Sequence, residues 1–249
     1  MTKVINLFIW GDSLSFRRHF QSDDIGFTYP FLLQKKLKNL LNCEVNLMVR
    51  SRGGISTPES RVLIYGDCAY LNFRNDEGIL NIAVLQLGIV DCAPLPFSYP
   101  LLRFFDKVPI IGGHVVHILK KNRHIFQKIS SKPKTSKGKF LKNYNEINRL
   151  LSDRGFLVFG IGLPTPTQFI ELRSPGFQKS AVYYNELIRD MIDNFVDIEQ
   201  HISDVKSENF REKILVKDDG HHLTQIGHSM YAKLISEKII AVISNKNLS

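Results

Sequence analysis

A serine, a histidine and a carboxylate stand in this sequence where they could carry acyl chemistry. Gly11-Asp12-Ser13-Leu14-Ser15 directly follows an apolar run, and Asp219-Gly220-His221-His222 lies far downstream, ahead of a helical pattern. A serine at a strand-to-helix turn exposes its hydroxyl and leaves its backbone N–H as a donor to a developing oxyanion. Such a serine needs a base. A carboxylate three residues ahead of a histidine can orient the imidazole while it takes the serine proton. Two further segments place glycine or polar residues just after apolar runs: Arg52-Gly53-Gly54 and Gly88-Ile89-Val90-Asp91.

Each segment alone has a plainer structural reading. A serine in such a turn is commonly a helix N-cap, Asp-x-x-His a cap beside a surface histidine, and Gly53-Gly54 a tight turn. Their joint occurrence in this chain order favours the chemical reading.

The elements that must position them follow from periodicity. Val4 to Trp10 is an apolar run that reads as a strand, and Pro30 to Leu37 carries apolar residues on one helical face. Val45 to Val49 reads as a second strand, closed by the Arg52-Gly53-Gly54 turn. Asn81 to Leu87 is a continuous β-rich run of the kind buried on both faces of a sheet, and Gly155 to Leu163 repeats it until Pro164 and Pro166 end it. Strands alternating with helices predict an α/β fold around a mostly parallel sheet, with ligands outside the carboxyl ends of the strands. Thr224 is placed to cap a helix whose core face runs through Ile226, Met230, Tyr231, Leu234, Ile235 and Ile239. Ser130 to Lys139 reads as an exposed loop.

Phe8-Ile9-Trp10-Gly11-Asp12-Ser13-Leu14-Ser15 resembles the first block of the SGNH/GDSL hydrolases, and Asp219-Gly220-His221-His222-Leu223-Thr224-Gln225-Ile226-Gly227-His228 resembles their last. Together the two blocks frame nearly the whole chain. The resemblance implies a flavodoxin-like three-layer α/β/α sandwich and one domain over residues 1–249. It implies Ser13 as nucleophile and oxyanion donor, His222 as base and Asp219 as its orienting carboxylate. Asp218-x-x-His221 has the same spacing, but the family's Asp-Gly-x-His form selects Asp219 and His222, leaving His221 as a neighbour in reach of substrate. Arg52-Gly53-Gly54 is similar to the family's glycine block, with Gly53 or Gly54 as the second oxyanion donor and Gly53 preferred. Asp12 and Asp91 are expected to fix their loops by hydrogen bonds, Gly88 to open the third block.

That third block departs from the family pattern. Where the family carries Gly-x-Asn-Asp, this chain reads Gly88-Ile89-Val90-Asp91, and a valine side chain cannot donate to an oxyanion. Removing one such donor typically lowers turnover by ~10²–10³. A serine-dependent esterase or acyltransferase acting on a small acyl ester, such as O-acetyl on a carbohydrate or similar alcohol, is the leading reading. The alternative is a weakened SGNH-like protein that binds a ligand or serves as a scaffold.

Composition narrows the rest. With 43% hydrophobic residues the chain can bury a core, and its three cysteines, Cys43, Cys68 and Cys92, form neither a CxxC pair nor a metal spacing. Cys92 reads as a small buried hydrophobe. No metal or cofactor is expected. The formal charge of +9 is local: ten Lys/Arg and no acid lie between Lys107 and Asn145, against 23 basic and 24 acidic residues elsewhere. This segment reads as a basic loop or lid, in which Lys132, Lys134, Lys137 and Lys139 suit an anionic ester substrate. Without interleaved aromatics or a recognisable module, nucleic acid is not an expected partner. No apolar stretch reaches membrane-spanning length, and reduced cysteines with no secretory leader point to a cytoplasmic protein.

Overall fold

The structure is a computed structural model, described here for residues 4–16, 25–71, 77–95, 132–205 and 209–246. It is built on a five-stranded sheet in the order β2-β1-β3-β6-β7, with every neighbouring pair parallel. Strand β1 spans Val4–Gly11, and a 3-10 turn at Ser13–Ser15 follows it. Helix α1 is Tyr29–Leu41, strand β2 Glu44–Ser51, helix α2 Thr57–Tyr70 and strand β3 Ile79–Gln86. A one-turn helix α3 at Ile89–Cys92 leads to the short strand β4, Pro94–Leu95. Beyond it come β5 Lys132–Pro133, α4 Lys137–Asp153 and β6 Leu157–Ile161. The chain then runs through α5 Gln168–Arg173, α6 Phe177–Met191, β7 Phe195–Val196, α7 Ile198–Asp204, α8 Phe210–Ile214 and α9 Gln225–Lys246.

Side-chain alternation along β1 assigns the helices to their layers. Trp10 donates its indole N–H to Asp67 of α2 over 2.9 Å. At the next residue, a Cβ on Gly11 would fall 2.3 Å from Ser15 Oγ, which bonds to Tyr29 at the start of α1. Successive strand residues face opposite ways, so α1 and α2 lie on opposite faces. Helix α1 packs with α9, and α2 with α4. This is the three-layer arrangement expected from the sequence, with the strands buried between the helices.

Strand register is pinned by an amide ladder. Asn46 donates to Asn6 over 3.1 Å, and Asn6 to Asn81 over 2.9 Å, linking β2, β1 and β3 at one level. Gly11 is therefore level with Ser51 and Gln86, so the loops after all three strands leave the sheet together. The strand order changes direction between β1 and β3, and ligands of parallel sheets bind at such a switch point.

Two sequence expectations change. The stretch read as an exposed loop is mostly exposed in its described part but only partly loop: Lys132–Pro133 pairs antiparallel with Pro94–Leu95, and Lys137 already begins α4. The reason lies in the spacing of Phe140, Tyr144, Ile147 and Leu151, which puts four fully buried side chains on one helical face. Of the basic segment, residues 137–145 are thus helix, while Lys107, Lys120, Lys121, Arg123 and Lys128 lie outside the described residues. On α9, Met230, Tyr231, Ile235 and Ile239 are buried as expected, but Ile226, in its first turn, is 55% exposed.

Candidate active site

Ser13 sits directly beyond β1, at the start of the 3-10 turn, because Asp12 caps that turn: its Oδ1 accepts the Leu14 N–H at 3.0 Å. Asp12 itself is held to the sheet by its own N–H, which donates to the Gln86 carbonyl of β3 at 3.1 Å. From the other end of the chain, the loop before α9 carries Asp219, His221 and His222. Val216 and His222 are tied by a backbone bond of 2.7 Å, and Thr224 Oγ1 accepts the Gly227 N–H at 3.2 Å, capping α9 as expected.

These segments bring three side chains into line. His222 Nε2 lies 2.7 Å from Ser13 Oγ, and His222 Nδ1 lies 3.0 Å from Asp219 Oδ2. With Nδ1–H donating to the carboxylate, Nε2 presents its lone pair to the serine hydroxyl. Asp219 Oδ1 also accepts the backbone N–H of His222 at 3.0 Å and that of His221 at 3.2 Å, so the carboxylate is fixed before it orients the ring. Burial pushes the Asp219 carboxyl up, but hydrogen bonds from the His222 ring and backbone, with the neighbouring histidine charges, outweigh it and hold it well below the usual carboxylate range.

The other candidate residues take supporting positions. His221 stacks obliquely behind His222, ring centroids 4.1 Å apart, and its Nδ1 lies 2.8 Å from the Asp219 carbonyl oxygen. Gly53 and Gly54 form the turn after β2, anchored by the Arg52 N–H on the Gly11 carbonyl at 3.1 Å. Gly54 has φ +72°, which favours glycine, and among the described residues a Cβ on Gly53 would meet only Phe16, at 3.9 Å. Among the hydrogen bonds of the described residues, the backbone N–H groups of Ser13 and Gly53 are donors to none. Gly88 has φ +127° and starts α3. Val90, in α3, is half-buried and offers no polar side-chain atom.

Asp91 is buried and points away from substrate chemistry, toward α2. Its carboxylate accepts the Thr57 N–H at 2.9–3.0 Å and the Thr57 hydroxyl at 2.7 Å. Burial raises its pKa against the opposing bonds from Thr135 and Thr57. Asp12, fully buried with Asp91 close enough to repel it, has its pKa pushed up to about 8 by burial first and by Asp91 in addition, with the Leu14 N–H opposing. The Cys92 thiol is pushed well above its ordinary value by burial and by the same two carboxylates, which removes it as a nucleophile. Asp219, His221 and His222 also offer one ligand atom each within 4.8 Å, but a cation there would compete with the hydrogen bonds that join Asp219, His222 and Ser13.

Several residues around the site make contacts that the sequence reading did not assign to them. Thr57 lies inside Ser56-Thr57-Pro58-Glu59, a legible capping-box pattern: the Ser56 N–H donates to Glu59 at 2.8 Å. His228 receives the Tyr29 N–H on Nδ1 at 3.2 Å. Burial lowers its pKa to about 4 against the pull of the Phe16 backbone. Lys134 reaches the Gly54 carbonyl at 3.2 Å, a contact that spans 80 residues and has no local signature.

No family model matches the sequence, and no curated protein does. Solved structures do. A lipase/acylhydrolase from Enterococcus faecalis superposes with TM-score 0.61 at 14% identity, over 96% of this chain and 95% of that one. An acetyl xylan esterase from Geobacillus stearothermophilus gives 0.62 at 11% identity over 94% of each chain. A member of the lipolytic G-D-S-L family from Veillonella parvula gives 0.54 at 11% identity, over 94% of this chain and 97% of that one. The chain shares the fold of these lipases and esterases over nearly its whole length.

Proposed function

We propose that the protein is a serine esterase, or an acyltransferase of the same mechanism, and that residues 1–249 act as one SGNH-type domain. The observation that carries this reading is the 2.7 Å approach of Ser13 Oγ to His222 Nε2, with Asp219 on the far ring nitrogen. Ser13 attacks the ester carbonyl as His222 Nε2 takes its proton. The tetrahedral oxyanion meets the backbone N–H groups of Ser13 and Gly53. His222 then returns the proton to the leaving alcohol, and the acyl group stays on Ser13 until water or a second hydroxyl accepts it. Asp219 steadies the imidazolium throughout.

A small acyl ester, with O-acetyl on a carbohydrate as the leading class, is the proposed substrate. Acetyl xylan esterases among the structural neighbours support that class. The basic residues from Lys107 to Lys142 favour an anionic form of it. The second reading, a ligand-binding or scaffold protein, is favoured by Val90 alone, and the intact Ser13, His222 and Asp219 constellation counts against it.

The test is hydrolysis of p-nitrophenyl acetate by the wild type, Ser13→Ala and His222→Ala, with fluorophosphonate labelling of Ser13. Loss of turnover by about 10⁴-fold or more in both variants is the expected result. A wild type that neither turns over nor labels would transfer support to the binding reading.

A further inference from the structure

Lys134 leaves strand β5 and turns its side chain, 18% exposed, onto the segment after β2. Its Nζ donates to the Gly54 carbonyl at 3.2 Å and stands 3.9 Å from Glu59 Oε2. The backbone at the same place is tied to the third block: the Lys134 N–H donates to the Ala93 carbonyl and the Thr135 N–H to the Asp91 carbonyl, each at 3.1 Å. Thr57, between Gly54 and Glu59, holds the Asp91 carboxylate. Three segments, 54–59, 91–93 and 134–135, thus close a ring of contacts beside the nucleophile turn.

We infer that Lys134 is a positioning residue: its ammonium, seated on the Gly54 carbonyl, holds the Gly53–Gly54 turn where the Gly53 N–H meets the ester oxygen. The inference rests on the esterase reading, in which Gly53 is an oxyanion donor. Two glycines supply no side chains to pack this turn, and no atom of the described residues comes within 4 Å of a Cβ built on Gly54. Backbone bonds anchor the turn at Arg52 and close it from Ile55 to Arg52 at 3.3 Å. Among the described residues, Lys134 is the side chain that hydrogen-bonds to it. Val90 supplies no donor, so the oxyanion depends on two backbone N–H groups, and placement of each matters more than in a three-donor site. Lys134 is accordingly a scaffold of the basic segment, not a substrate contact.

The test compares wild type, Lys134→Met and Lys134→Arg by steady-state kinetics on p-nitrophenyl acetate, thermal midpoint and hydrogen exchange over residues 52–56. Lys134→Met is expected to lower kcat about 10- to 100-fold with KM within about threefold, since misplacing a reacting group by ~1 Å can cost ~10². Exchange at 52–56 should quicken while the thermal midpoint stays near that of wild type, and Lys134→Arg should recover most of the lost kcat. Undiminished kcat in Lys134→Met beside a wild type with Ser13-dependent turnover would overturn the inference alone. A kcat loss that follows loss of folded protein and is not repaired by arginine would overturn it too. A wild type without Ser13-dependent turnover would remove the esterase reading, and this one with it.

Discussion

The Thr57 hydroxyl donates to Asp91 Oδ2 over 2.7 Å and, together with the Thr57 N–H on the same carboxylate, joins the helix after the glycine turn to the loop after β3. Both groups are buried, so neither has water to replace the other. Thr57→Val keeps the shape and removes the hydroxyl. It should cost about 1 kcal/mol of stability, since Asp91 Oδ2 loses one of its two Thr57 donors and keeps the backbone N–H. Urea unfolding measures it, and an unchanged midpoint and slope would show that the contact contributes nothing.

Asp219→Asn isolates the orienting role. An amide oxygen can still accept the His222 and His221 backbone N–H groups, so the loop should keep its shape. The imidazolium loses its countercharge, and kcat should fall by about 10²–10⁴ while KM changes little. Equal turnover in the two proteins would place the working carboxylate elsewhere.

Val90→Asn restores the side-chain type that the family carries in the third block. Val90 is only half-buried, so the change should be tolerated. If the oxyanion sits between the Ser13 turn, Gly53 and α3, kcat should rise at least about tenfold, toward the ~10²–10³ that one donor typically contributes. No change would mean that the oxyanion lies out of reach of residue 90.

Asp12 sets a pH dependence of stability. Its pKa is pushed up to about 8 in the folded protein, above the ordinary carboxylate value, so the folded state retains a proton that the unfolded chain releases. Its contribution is fully present below the ordinary carboxylate range and declines as pH rises toward and through about 8. The wild-type thermal midpoint should therefore fall between pH 5 and 9, by this contribution, more steeply than that of Asp12→Asn, which still caps the turn. Parallel profiles would rule out the retained proton.

His228 acts with the opposite sign at lower pH. Its pKa, lowered to about 4 by burial, lies below the ordinary histidine value, so its contribution is present above about 6.5 and lost as pH falls toward 4. A proton NMR titration should find His228 neutral at pH 5. A midpoint near 6.5 would contradict its buried, Tyr29-bonded state.

Much of this architecture was legible in the sequence because the signals are local. Continuous apolar runs such as Asn81 to Leu87 mark strands buried on both faces, and the residues after them fall at one sheet edge. The spacing in Asp219-Gly220-His221-His222 pointed to the carboxylate and imidazole that the fold sets 3.0 Å apart. What escaped is non-local. Lys134 sits in a run of positive charge whose composition suggests an anionic ligand, and the β4–β5 pairing turns it onto Gly54 instead. Strand β7, two residues long, is too short to leave a periodic trace. Helix α4 was hidden by the charge around it, although Phe140, Tyr144, Ile147 and Leu151 already carried its spacing.

The antiparallel pairing of Pro94–Leu95 with Lys132–Pro133 works as a clasp for the third block. It pins both ends of the 96–131 stretch beside Asp91 and Lys134. Asp91 carries the contact to α2 and Lys134 the contact to the glycine turn, so a pairing of two residues with two is a shared fastening, and a change that frays it loosens both contacts at once.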